Sequence, residues 1–181
     1  MAEIKYESSS LCAACGGACC KSKGCSLSPE DMIREIEKKE HTREIQKEVL
    51  EHFLQDSDFA IDHFSWKTGP FYYLRMRHKC FTFIGVDAMG ECIALTDTGC
   101  AREYGSRPKG GRFLEGKENR QCEQHYTQEM MLEDWMPYQE LLAGIFREWQ
   151  DKMEADGTFD LCEDAYMEYQ MEKRNRQHTS G

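Results

Sequence analysis

The hydrophobic pattern changes character twice along the chain. Residues 27–54 carry helical spacing. Ser28-Pro29-Glu30-Asp31 reads as a helix start. Ser28 is an N-cap, Pro29 suits the first helical position, and the two acids favour the positive end of the helix dipole. Met32, Ile33 and Ile36 form a short apolar stripe. A second helix follows Thr42, with Ile45, Val49, Leu50, Phe53 and Leu54 on one face.

The middle of the chain lacks that spacing. Residues 56–70 read as a loop closed by Gly69-Pro70. Phe71-Tyr72-Tyr73-Leu74-Arg75-Met76-Arg77 is aromatic and alternates toward its end, which suits a strand. Phe81 to Val86 and Cys92 to Leu95 are shorter strand candidates, with Asp87-Ala88-Met89-Gly90 as the hairpin turn between them. Residues 96–124 hold five glycines, one proline and mixed charges without a usable period. So long an irregular stretch is functional, or held by something other than a hydrophobic core.

The last third returns to helical spacing. Thr127 to Trp135 is one helix, and Pro137 breaks or kinks it. Tyr138, Leu141, Leu142, Ile145, Phe146, Trp149 and Met153 then keep a 3.6-residue period. Thr158 is placed to cap a final helix carrying Phe159, Leu161, Cys162, Ala165, Tyr166 and Tyr169. The tail 173–181 is polar and expected to fray.

These elements predict a small α+β fold. A Cys-rich, metal-stapled centre with a short antiparallel hairpin is expected to be surrounded by about four or five helices. One domain is expected over 1–172, with a metal-binding region at 12–122 and a helical C-terminal part at 127–170.

Charge and composition narrow the function. The 181 residues include 23 Lys+Arg and 33 Asp+Glu, for a formal net charge of −10. That disfavours a general nucleic-acid binder, which neutralises phosphates with basic side chains. The longest run of apolar or Gly residues is Leu141 to Phe146, whereas a helix crossing a bilayer needs about 20. The start, Met1 to Ser10, is polar and has no apolar signal-peptide core. The expectation is therefore a cytoplasmic protein without a membrane partner.

Ten cysteines change the picture. In a reducing compartment they read as metal ligands, redox groups or small apolar side chains rather than disulfides. Cys12, Cys15, Cys19, Cys20 and Cys25 share a loop from Leu11 to Ser26, rich in Gly and Ser. Four thiols in Cys12-Ala-Ala-Cys15-Gly-Gly-Ala-Cys19-Cys20 cannot all be buried by one short loop. Thiolates so crowded repel unless a cation neutralises them. A redox pair at Cys12-x-x-Cys15 would need a strand before it, and only a polar segment precedes it. The expected ligands are Cys12, Cys15, Cys19, Cys20, Cys80, Cys92, Cys100 and Cys122, enough thiolates for two four-cysteine centres of zinc or iron–sulfur type. Cys25 is a further candidate outside that set. Cys162 reads as a core thiol, and His78 and His125 are the histidines placed to substitute for a cysteine.

The run resembles the cluster that names the CxxCxxCC, or YkgJ-type, proteins, a family associated with zinc or iron chelation. Cys80-Phe-Thr-Phe-Ile, Gly90-Glu-Cys92, Gly99-Cys100 and Arg107-Pro108 are similar to the same family. Here three residues, Gly16-Gly17-Ala18, separate the second and third cysteines where the family has two. Gly111 stands where the family commonly has a cysteine after Arg-Pro. The family resembles the metal-binding part of flagellin lysine methylases. The resemblance thus implies a metal- or cluster-binding protein, with a protein lysine N-methylase-like enzyme as the alternative.

One further feature bears on that alternative. Arg102, Arg107, Lys109, Arg112, Lys117 and Arg120 outnumber Glu103, Glu115 and Glu118 in residues 101–120. Arg107, Lys109 and Arg112 read either as an anion site or as compensation for the charge of metal thiolates. No phosphate-binding loop, dinucleotide fingerprint or nucleophile elbow is present in the sequence. The expected function is metal binding with a mainly structural or carrier metal. The expected partner is the metal or cluster, and a protein partner is left open.

Overall fold

The computed structural model describes residues 6, 9–17, 20, 25–79, 91–119, 122–158, 167 and 171. The protein is α+β. Its described elements run α1 (Ser9–Cys15), α2 (Pro29–Glu40), α3 (Lys47–Gln55), β1 (Phe59–Trp66), β2 (Gly69–Met76), β3 (Leu95–Thr96), β4 (Gly99–Cys100), α4 (Lys109–Arg112), β5 (Leu114–Glu115), β6 (Glu123–Gln124), α5 (Gln128–Trp135) and α6 (Gln139–Ala155).

Helix α2 begins where its cap signals place it. The Ser28 hydroxyl accepts from the Asp31 N–H, and the Asp31 carboxylate accepts from the Ser28 N–H. Both orphan donors are satisfied by this reciprocal box. Thr127 caps α5 in the simpler way, accepting from Met130. At Pro137 the chain tightens into a single 3₁₀ turn over Met136–Tyr138 before α6 continues.

The main sheet is one antiparallel hairpin. β1 pairs with β2 in a register from Phe59↔Met76 to Trp66↔Gly69, closed by Lys67-Thr68. This corrects the loop expected over 56–70, and Gly69-Pro70 opens β2 instead of ending a loop. The strand was masked because its first half does not alternate: Phe59, Ala60, Ile61 and Asp62 are all buried. Asp62 reads as a loop former in sequence, yet it is held inside by Arg75 on the adjacent strand.

Two further expectations are revised. The segment from Leu11 is not all loop, because Ser9–Cys15 is helical up to the Gly16-Gly17 stop. Its Ala- and Leu-bearing stretch contains no helix breaker before Gly16. Cys92 to Leu95 is not a continuous strand: Cys92 makes a single bridge to His78, and the ladder starts at Leu95. The candidate strand Phe81 to Val86 and its turn lie outside the described residues. So does most of the helix expected after Thr158, including Cys162.

The core gathers Leu27 and, from α2 and α3, Met32, Ile36, Leu50, Phe53 and Leu54 against Ile61, Leu74 and Met76 of the hairpin. Trp135, Leu142, Ile145 and Phe146 close it from the C-terminal side. Residues 25–27 run beside β2. The Leu27 N–H donates to Leu74 and the Met76 N–H donates to the Cys25 carbonyl, each at 2.8 Å. This stitch carries the chain from the cysteine-rich segment into the core. No described helix is long and apolar enough to cross a membrane.

Candidate metal centre

Separate segments bring cysteines to one cavity. Cys12 sits on α1, where Gly16 and Gly17 end the helix with φ of 65° and 66°. The Gly17 N–H donates back to the Cys12 carbonyl at 3.1 Å, a helix stop that left-handed glycines allow. Gly17 also faces Leu95: a Cβ there would lie 2.5 Å from Leu95 Cδ1. Cys20 is fixed by its carbonyl, which accepts from the Cys92 N–H at 2.8 Å. Cys25 is fixed by its bond to Met76. Cys100 comes from the tight hairpin β3–β4, held by Thr96 Oγ1 donating to the Gly99 carbonyl at 2.7 Å. That hairpin packs on α1, and a Cβ at Gly99 would lie 3.6 Å from Ala13 Cα.

The result is an open cavity of about 30 Å³ lined by Cys12, Cys20, Cys25 and Cys100, with Arg107 and Gly111 on its wall. Cys25, Cys92, Cys100 and Cys122 are free thiols. Cys92 is buried beside this group instead of lining it. Burial is the main force pushing its thiol pKa up, and the Cys100 thiol adds to it. N–H donors of Ala94 and Cys25 and the positive charge of Arg75 pull the other way. Cys122 precedes β6 and does not line the cavity. Cys19 and Cys80 lie outside the described residues. Position 15 is one helical turn after Cys12 on α1.

The donor set fits a soft metal. Thiolates select zinc, copper(I) or iron–sulfur clusters over hard cations. Spacing adds a constraint. Zinc–sulfur bonds of about 2.3 Å in a tetrahedron put sulfurs about 3.8 Å apart. No three cysteine sulfurs among the described residues lie within 4.8 Å of one another. The described thiols alone thus form no closed zinc trio.

The basic loop divides. Arg107 borders the cavity, its Nε donating to the Arg102 carbonyl at 3.0 Å. Arg112 instead binds Asp31 at 2.9 Å, and Lys109 binds Asp134 at 2.9 Å. The Gly110 and Gly111 N–H groups donate to the carbonyls of Ser26 and Pro108. The three cations do not converge on one anion. His125 pairs with Glu115 at 2.9 Å and stacks on Tyr6, and it does not line the cavity.

Two groups lie outside the expected ligand set. Cys25 is one, although it lines the cavity. Glu115, Glu123 and His125 meet on the β5–β6 hairpin within 4.8 Å, and the Lys117 ammonium already bridges the two carboxylates at 2.8 and 3.4 Å. No protein-family model matches the chain, and it has no match among curated proteins or solved structures.

Proposed function

We propose that this chain is a metal-binding protein of the cysteine-cluster type, resembling the CxxCxxCC family. It takes up zinc or an iron–sulfur cluster through its thiolates, and the metal serves mainly as a structural or carried group. The observation that carries this reading is the convergence of Cys12 and Cys20 with Cys100, from far along the chain, around one cavity. Ligands drawn from distant segments make metal binding energy into folding energy. That suits loops such as 96–124, whose described ladders are only two residues long.

Anaerobic purification followed by elemental and sulfide analysis tests the proposal. The expected result is stoichiometric zinc, or iron with sulfide and a brown colour. Less than about half an equivalent of zinc plus iron per chain would end it.

An enzyme of lysine N-methylase-like type is the second reading, and Arg107 on the cavity wall favours it. A cation beside a metal can anchor an anionic substrate group. The commitment of Lys109 and Arg112 to Asp134 and Asp31 weighs against a three-cation pocket. A metal with every coordination position filled by cysteine would exclude this reading.

A further inference from the structure

We propose that Cys25 is a ligand of this centre, and that position 111 is glycine because the Cys25 sulfur needs the space beside it. The inference rests on the metal-binding reading above and deepens it by naming a ligand outside the expected set.

Three observations carry it. Cys25 lines the same cavity as Cys12, Cys20 and Cys100, so it completes a four-thiol wall. Its backbone is pinned to β2 through Met76, which aims it from a rigid element instead of a loose loop. Gly111 approaches it directly: a Cβ on residue 111 would lie 3.1 Å from Cys25 Sγ and 3.6 Å from Cys25 Cβ.

A Cβ at 111 would also come 3.4 Å from Arg107 Cβ, a looser approach than the one to sulfur. Gly111 lies in the helical turn α4 and does not have the left-handed backbone that only glycine adopts easily. Its neighbour Gly110 differs, because a Cβ there would meet Ser26 backbone atoms at 2.8 and 2.9 Å. What a side chain at 111 would meet first is sulfur. With its Cβ 3.1 Å from Cys25 Sγ, a cysteine at 111 has a rotamer that brings its own sulfur, one bond further on, beside the volume that Cys25 Sγ fills. One thiolate position can thus be supplied from either of two backbones. This chain supplies it from residue 25.

The exchange can be tested in both directions. Full-length protein is purified anaerobically, and iron, zinc and sulfide are counted per chain beside the visible spectrum. Cys25→Ala should lose at least about half of the wild-type metal and alter the thiolate charge-transfer bands. Cys25→Ala/Gly111→Cys should regain both metal and spectrum, and Gly111→Cys alone should gain nothing. Metal-loaded wild type with a Cys25→Ala variant of unchanged metal content and spectrum would overturn the proposal while leaving the metal-binding reading intact. Metal-free wild type would instead overturn that parent reading.

Alkylation of wild type by iodoacetamide, mapped by mass spectrometry, covers the case in which the variants fail to fold. Cys25 should react at least about tenfold more slowly in the metal-loaded protein than after chelation. Equal rates in the two states would overturn the assignment.

Discussion

The carboxylate of Asp31, in the first turn of α2, holds the guanidinium of Arg112 at 2.9 Å across 81 residues of sequence. The same carboxylate accepts from the Lys109 N–H at 2.6 Å and from Arg34 at 2.8 Å. One buried acid thereby fastens the loop that forms a wall of the cysteine cavity to the first helix of the core.

Asp31→Asn should cost about 2–4 kcal/mol at neutral pH, because buried cationic and N–H donors lose their charged acceptor. Acid should expose the same dependence. Burial pushes the Asp31 carboxyl up, but hydrogen bonds from Ser28 and Lys109 and the charge of Arg112 outweigh it and hold the group below its ordinary 3.8. A lowered folded-state pKa adds stability above the unfolded value, and this is lost as pH falls through the folded one. Urea melts between pH 7 and pH 2 should show wild-type stability falling below about pH 4 and a flatter profile for Asp31→Asn. Parallel profiles would contradict the assignment.

Asp62 and Arg75 pair across β1 and β2 with side-chain exposures of 8% and 3%. Asp62→Leu should destabilise by about 3–5 kcal/mol, since the guanidinium stays buried without its partner. Asp62→Leu/Arg75→Met should recover most of that loss, as apolar replacements of both partners often do. Chemical denaturation of the two variants checks the difference; equal losses would show that the pair is not the source.

Gly17→Ala should weaken metal retention more than global stability. The substitution places a side chain in a left-handed turn, at a cost of about 1–2 kcal/mol, and drives it onto Leu95 Cδ1. Leu95 begins the hairpin that delivers Cys100. Competition with a chelator should show affinity falling by about tenfold or more. Unchanged affinity would show that the turn does not position the thiols.

Stripping the metal should open α1 and the β3–β4 hairpin before the C-terminal helix. The thiols bridge segments joined by two-residue ladders, whereas α6 buries Leu142, Ile145 and Phe146 in the core. Hydrogen exchange with and without chelator should therefore lose protection around Cys12–Gly17 and 95–101 first, with α6 still protected. Uniform loss along the chain would count against a metal-held region.

Local signals made α2, α5 and α6 readable, whereas α1 lay in a stretch read as loop. Ser28 and Thr127 cap where their side chains allow, and the Leu142–Ile145–Phe146 spacing points one face of α6 inward. β1 was hidden because burial of Asp62 depends on Arg75, a partner that only the paired strand reveals. The cysteine crowding of residues 12–20 was visible as chemistry, but the reach of Cys25 to Gly111 was not. Close backbone approach leaves no mark on local pattern. For the same reason Arg107, Lys109 and Arg112 looked like one cluster, while Asp31 and Asp134 on distant helices draw two of them away.

Tyr6 donates its N–H to the Tyr104 hydroxyl, 98 residues later, and its ring stacks on His125 at 4.2 Å. During vectorial synthesis these partners leave the ribosome long after the cysteines that Tyr6 precedes. The segment that leads into α1 is therefore tied down last, once Tyr104 and the β5–β6 hairpin stand ready to receive Tyr6, although it is made first.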